Sequence, residues 1–180
     1  MVYVFLADGF ELVEAMTPVD MLRRGGKETV TVSITDSLYV TSSNGVTVKA
    51  DKLISELDGS VPEAVILPGG MPGASNLRAS DGVCRITLDA AKSGALICAI
   101  CAAPYVLGEL GLLHNKEAIC YPGFEDKLIG AKISDKNVVC DGNVITAAGM
   151  GVALEFSYVI TAMLCGKGKA ADIMASIRAL

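Results

Sequence analysis

Leu96-Ile97-Cys98-Ala99-Ile100-Cys101-Ala102-Ala103-Pro104 is the stretch that decides the fold. Its first five residues form an unbroken apolar run, the pattern of a strand buried on both faces of a parallel sheet. The next four turn the chain sharply. Cys101 ends the strand, two alanines and a proline follow, and Pro104 to Leu113 reads as helix. Working outward, the same alternation recurs. Residues 1–6 and Ala64–Leu67 read as buried strands, Thr29–Thr35 as a β-branched strand, and Glu11–Arg24 and Asp81–Ser93 as helices, the first stopped by Gly25-Gly26. Residues 38–49 read as a hairpin turning at Asn44-Gly45. Weaker strands are expected at Glu117–Cys120, Val138–Cys140 and Val144–Thr146, and helices at 150–165 and 168–178. This is an α/β chain, a mostly parallel sheet with helices on both faces, read as one domain over residues 1–180.

Composition narrows the function. Of 180 residues, 52% are hydrophobic and 19% charged, which gives ample material for a core. The net charge of −5 comes without a basic run, so no nucleic-acid partner is expected. A mean hydropathy of +0.50 is high, yet no apolar stretch approaches the roughly 20 residues of a spanning helix. The apolar start lacks a basic leader and meets Asp8-Gly9 at once, so a cytoplasmic protein is expected. Its six cysteines then read as reduced thiols. Only Cys98 and Cys101 have ligand-like spacing and the one histidine is His114, so no metal is expected.

Ligands of parallel sheets bind beyond the carboxyl ends of the strands, which selects Ala7–Glu14, Pro68–Leu77 and Cys101–Pro104. A nucleophile on a tight strand–turn–helix needs small neighbours, and Cys101 has them. A helix N-terminus close by favours its thiolate. The plain alternative is an inert buried thiol. A Cys98/Cys101 dithiol is disfavoured, because Cys98 lies inside the strand and the two side chains should point to opposite faces. Gly69-Gly70 lets the backbone present bare N–H groups, so Gly70 and Ala102 could form an oxyanion hole facing Cys101. Glu11 suits the helix dipole. Glu14, set among Leu12, Val13, Ala15 and Met16, is expected to point inward, stay protonated and donate to the Cys101 thiolate. His114 reads as a C-terminal cap of the preceding helix.

Together, Ala7-Asp8-Gly9-Phe10-Glu11-Leu12-Val13-Glu14, Leu67-Pro68-Gly69-Gly70, Ala99-Ile100-Cys101-Ala102-Ala103-Pro104 and Thr146-Ala147-Ala148-Gly149-Met150-Gly151 resemble the ThiJ/PfpI superfamily in its Parkinson disease protein 7-type branch, a class I glutamine amidotransferase-like fold. The resemblance implies a flavodoxin-like three-layer sandwich and a homodimer. It implies that Cys101 is the reactive cysteine, Glu14 its protonated partner, and Gly70 and Ala102 the oxyanion donors beside Gly69. It also implies that Arg24 reaches the partner subunit's site. Where many relatives carry a His-Pro pair, this chain has Cys120-Tyr121-Pro122, which makes Tyr121 and Cys120 candidates to line the site. Ala102 after the nucleophile argues against a peptidase. The implied activity is cofactor-free and glyoxalase- or deglycase-like, on a small carbonyl or a glycated protein or nucleotide, in stress protection. The alternative is an oxidative-stress sensor or redox-regulated chaperone working through the same cysteine.

Overall fold

The computed structural model describes residues 1–179; Leu180, the last residue of the span read as one domain, lies outside them. Buried apolar runs form the sheet: β1 (Val2–Leu6), β2 (Thr29–Ser33), β5 (Lys52–Leu53), β6 (Ala64–Leu67), β7 (Leu96–Ile100), β10 (Val138–Asp141) and β11 (Val144–Ala147). They lie in the order β10-β11-β7-β6-β1-β2-β5. All pairings are parallel except β10 with β11, the one antiparallel edge. The predicted hairpin is β3 (Tyr39–Thr41) and β4 (Thr47–Lys49), turning through Gly45 at φ 80°.

Strand alternation sorts the core into two layers. Val2, Val4 and Leu6 pack toward α1 (Leu12–Arg24) and α5 (Ala153–Cys165), with Phe156 and Ile160 among their partners. Tyr3, Phe5, Val65, Leu67 and Ile97 pack toward α2 (Gly73–Ala79), α3 (Asp81–Lys92) and α4 (Pro104–Glu109). The last helix, α6 (Lys167–Ser176), covers Met21 with Ile173 and Met174. This is the expected flavodoxin-like three-layer arrangement.

Four differences from the sequence reading have local causes. The helix expected to run from Pro104 to Leu113 stops at Glu109, because Gly111 takes φ 73°, outside the helical region. His114 therefore does not cap it; the cap is Leu110, and the imidazole packs on Gly130. The stretch from Gly73 to Ala79, for which the sequence analysis assigns no element, is the helix α2, anchored by buried Ala74 and Leu77. Two short strands went unseen: β5, and β9 (Lys132–Ile133), which pairs with β8 (Glu117–Ala118).

The topology positions the site. In the order β11-β7-β6-β1, four parallel strands end side by side, and the connections diverge between β1 and β6. A crevice opens where parallel connections part in opposite directions.

Candidate active site

Cys101 stands directly beyond β7 with φ 64°, a left-handed backbone that costs a non-glycine residue on the order of 1–3 kcal/mol. Its surroundings hold it there. The Cys101 N–H donates to the Ala147 carbonyl at 2.9 Å, and its own carbonyl accepts from Tyr121 N–H at 2.7 Å. Because Cys101 has left the strand, its side chain borders the same apolar cluster that contains Cys98. The expected alternation to opposite faces fails for that reason. Both are free thiols.

Glu14, in the first turn of α1, is fully buried. Its Oε2 accepts from Gly69 N–H at 2.8 Å. Gly69 is wedged between the two key side chains: a Cβ there would lie 2.7 Å from Cys101 Cβ and 2.8 Å from Glu14 Oε2. Gly70, at φ 82°, presses on the first loop, where a Cβ would come within 2.5 Å of Glu11 N and Gly9 O. Glu11 N–H donates to the Gly69 carbonyl at 2.9 Å, and Gly73 N–H to the Gly9 carbonyl at 3.2 Å. The three loops selected from the sequence thus interlock, and glycine is what lets their backbones meet.

The electrostatics couple the pair. Burial is the largest effect on Glu14 and raises it from 4.5 to about 7, against the Gly69 amide and the Cys101 hydrogen bond; nearby Glu11 adds to the rise. Burial likewise pushes Cys101 from 9.0 up to about 12, followed by the charge of Glu14 and their hydrogen bond, while the amides of Ala102 and Gly70 pull it down. The sequence reading expected a net lowering. Burial first, and then the charge of an ionised Glu14, outweigh the two amides. A proton on Glu14 removes the like-charge effect and turns its hydrogen bond into one that favours thiolate. Among the described residues Oε1 of Glu14 is buried without an ordinary hydrogen-bond partner. An ionised oxygen without a partner there is costly, which favours the protonated carboxyl.

The other candidates are spread more widely. Cys120 turns into the core, where burial and then the charge of Glu125 push it up to about 11 against the Phe124 amide. Tyr121 is half-exposed and its ring lies against Gly149. Arg24 sits on the last turn of α1, paired with Asp20 at 2.6 Å and roughly 15 Å along the helix axis from Glu14. Within one chain it does not join the Cys101 site. Ala148-Gly149-Met150, which follows β11, enters the sequence analysis only as a family-like segment and is given no place in the site there. The strand-end rule would have found it had that weak strand been weighted like the others.

Comparison with known proteins places this geometry. Residues 1–163 match the DJ-1/PfpI family. Protein DJ-1 homolog B of Arabidopsis thaliana is 36% identical over 174 residues, covering 96% of this chain and 40% of that protein. This chain therefore spans less than half of that relative. The glutathione-independent glyoxalase DJR-1.2 of Caenorhabditis elegans is 32% identical over 166 residues, with 91% of this chain and 88% of that one covered. The solved structure of oxidized Toxoplasma gondii DJ-1 superposes with a TM-score of 0.94 at 37% identity, over 98% of this chain and 96% of the other. With a family match over most of the length and near-identical architecture, the chain that carries Cys101 on this elbow belongs to the DJ-1/PfpI family.

Proposed function

We propose that this protein is a cysteine-dependent enzyme that converts reactive α-oxoaldehydes to hydroxy acids. The observation that carries the reading is the buried Glu14, raised to about 7 and coupled to Cys101, whose thiol the Ala102 and Gly70 amides pull down. The thiolate of Cys101 adds to the aldehyde carbon. A C–S bond forms, the C=O π bond breaks, and the alkoxide takes the Glu14 proton, with the two amides holding developing charge. Glu14 then carries the aldehyde C–H proton to the neighbouring carbon by way of an enediol. The hydroxyl proton of the adduct passes to the ketone oxygen, so that the aldehyde carbon becomes an oxidised thioester and the ketone a reduced alcohol. Water cleaves the thioester, so that methylglyoxal plus water gives lactate and the free thiol. The name of the nematode relative supports this chemistry, since a protein that supplies its own thiol has no need of glutathione. The same reading takes the working unit to be a cytoplasmic homodimer in which Arg24 reaches the partner's site.

The test is lactate formation from methylglyoxal. Cys101→Ser should abolish it, and Glu14→Gln should slow it about a hundredfold, the usual scale for losing a positioned acid–base. Equal rates for wild type and Cys101→Ser would overturn the proposal. A second reading, redox sensing, draws support from the same amides, which suit a sulfinate made by two successive peroxide oxidations of Cys101, each releasing water.

A further inference from the structure

Building on that carbonyl chemistry, we infer that Tyr121 is the wall of a cleft that accepts an aromatic or bulky apolar substituent, so that aryl-substituted α-oxoaldehydes are preferred to methylglyoxal. The Tyr121 amide is bonded to the Cys101 carbonyl at 2.7 Å, which fixes the ring beside the elbow. Tyr121 is 52% exposed and Met150, across the same lining, is 53% exposed, so the two make a joint apolar patch rather than a lone exposed side chain. It lies along Gly149, where a Cβ would stand 3.4 Å from Cδ2. Gly149 itself has an ordinary extended backbone at φ 164°, so conformation does not require glycine there. What the missing side chain preserves is open floor next to the ring.

Pro122, Met150 and Val152 complete the cleft, and among the described residues that line it none is charged. A phosphate or carboxylate substituent finds no counter-ion there, whereas a neutral ring finds an aromatic face and polarisable sulfur. Met71, which follows Gly70 in the loop whose amide acts on Cys101, is itself 49% exposed.

The experiment compares kcat/KM for phenylglyoxal, which with water gives mandelate, and for methylglyoxal. Wild type should favour phenylglyoxal. Tyr121→Ala should cut the phenylglyoxal-to-methylglyoxal ratio about tenfold, mainly through KM, and Tyr121→Phe should retain it. Gly149→Ala, which narrows the floor by one methyl, should lower the same ratio with the ring in place. If methylglyoxal is consumed but the ratio is the same in wild type and Tyr121→Ala, this inference falls while the proposed chemistry stands. If wild type consumes neither aldehyde, both fall.

Discussion

Replacing Glu14 by Gln removes one titrating proton from the centre of the site, and the structure sets the size of the effect. Burial raises this carboxyl from 4.5 to about 7, whereas in the unfolded chain it titrates at its ordinary value. Between those limits the folded protein keeps a proton that the unfolded chain has lost. Stability must therefore fall as pH rises from about 4.5 to about 7, and level off above. A span of about 2.5 pH units at 1.36 kcal/mol each amounts to roughly 3 kcal/mol. Cys101, raised from 9.0 to about 12, loses its contribution only above that window. Asp51 and Glu63 act with the opposite sign. Their partial burial is outweighed by hydrogen bonds from Thr31 and Lys27 respectively, so both are held below the ordinary carboxylate value. Both are present in either protein and cancel in a difference. The assay is urea unfolding of wild type and Glu14→Gln at matched pH values across the window. Relative to the variant, wild type should lose roughly 3 kcal/mol on going from acid to neutral pH. Parallel profiles, constant to within about 0.5 kcal/mol, would refute the account of a buried carboxyl that stays protonated.

Two further outcomes follow from the same geometry. Gly69→Ala drives a methyl against Cys101 Cβ, Glu14 Oε2 and the Ile100 carbonyl, all within 2.9 Å; the expected cost is about 2 kcal/mol, or roughly 6 °C in the thermal midpoint. An unchanged midpoint would mean that the loops are looser than described. Mild peroxide should add about 32 Da to the peptide containing Cys101 and leave the fully buried Cys98 unmodified, as read by peptide mass spectrometry. Oxidation of the exposed Cys140 ahead of Cys101 would count against an activated thiol.

Much of the site was legible because its residues break local rules. A carboxylate amid Leu12, Val13, Ala15 and Met16 has no reason to be there as surface decoration. A cysteine between a buried strand and Ala-Ala-Pro marks an elbow, and Gly-Gly after a second buried strand marks a backbone that something must approach. What stayed hidden depends on tertiary contact. The helix from Gly73 to Ala79 has little periodicity of its own and is fixed by Ala74 and Leu77 entering the core. The packing of α4 depends on the Lys127 carbonyl, distant in sequence, lying against Gly108 where a side chain would not fit. The direction of the Cys101 titration was misjudged because a sequence shows which groups are neighbours but not how deeply burial affects each of them.

The two functional readings make different demands on the open side of this site. A sensor needs only that peroxide reach the sulfur, with amides to hold the oxidised product. A small polar approach suffices, and exposed apolar surface does nothing for it. A carbonyl enzyme must also seat the part of the substrate that does not react, because binding energy from that part is what orients the aldehyde for attack. Met71, Tyr121 and Met150 are each about half exposed, and they belong to loops that follow or touch the elbow. Keeping three large apolar side chains in water is unfavourable in the resting protein, and a substrate that covers them offsets that cost. The buried pair of Glu14 and Cys101 serves either reading. The apolar rim is the feature that weighs toward turnover.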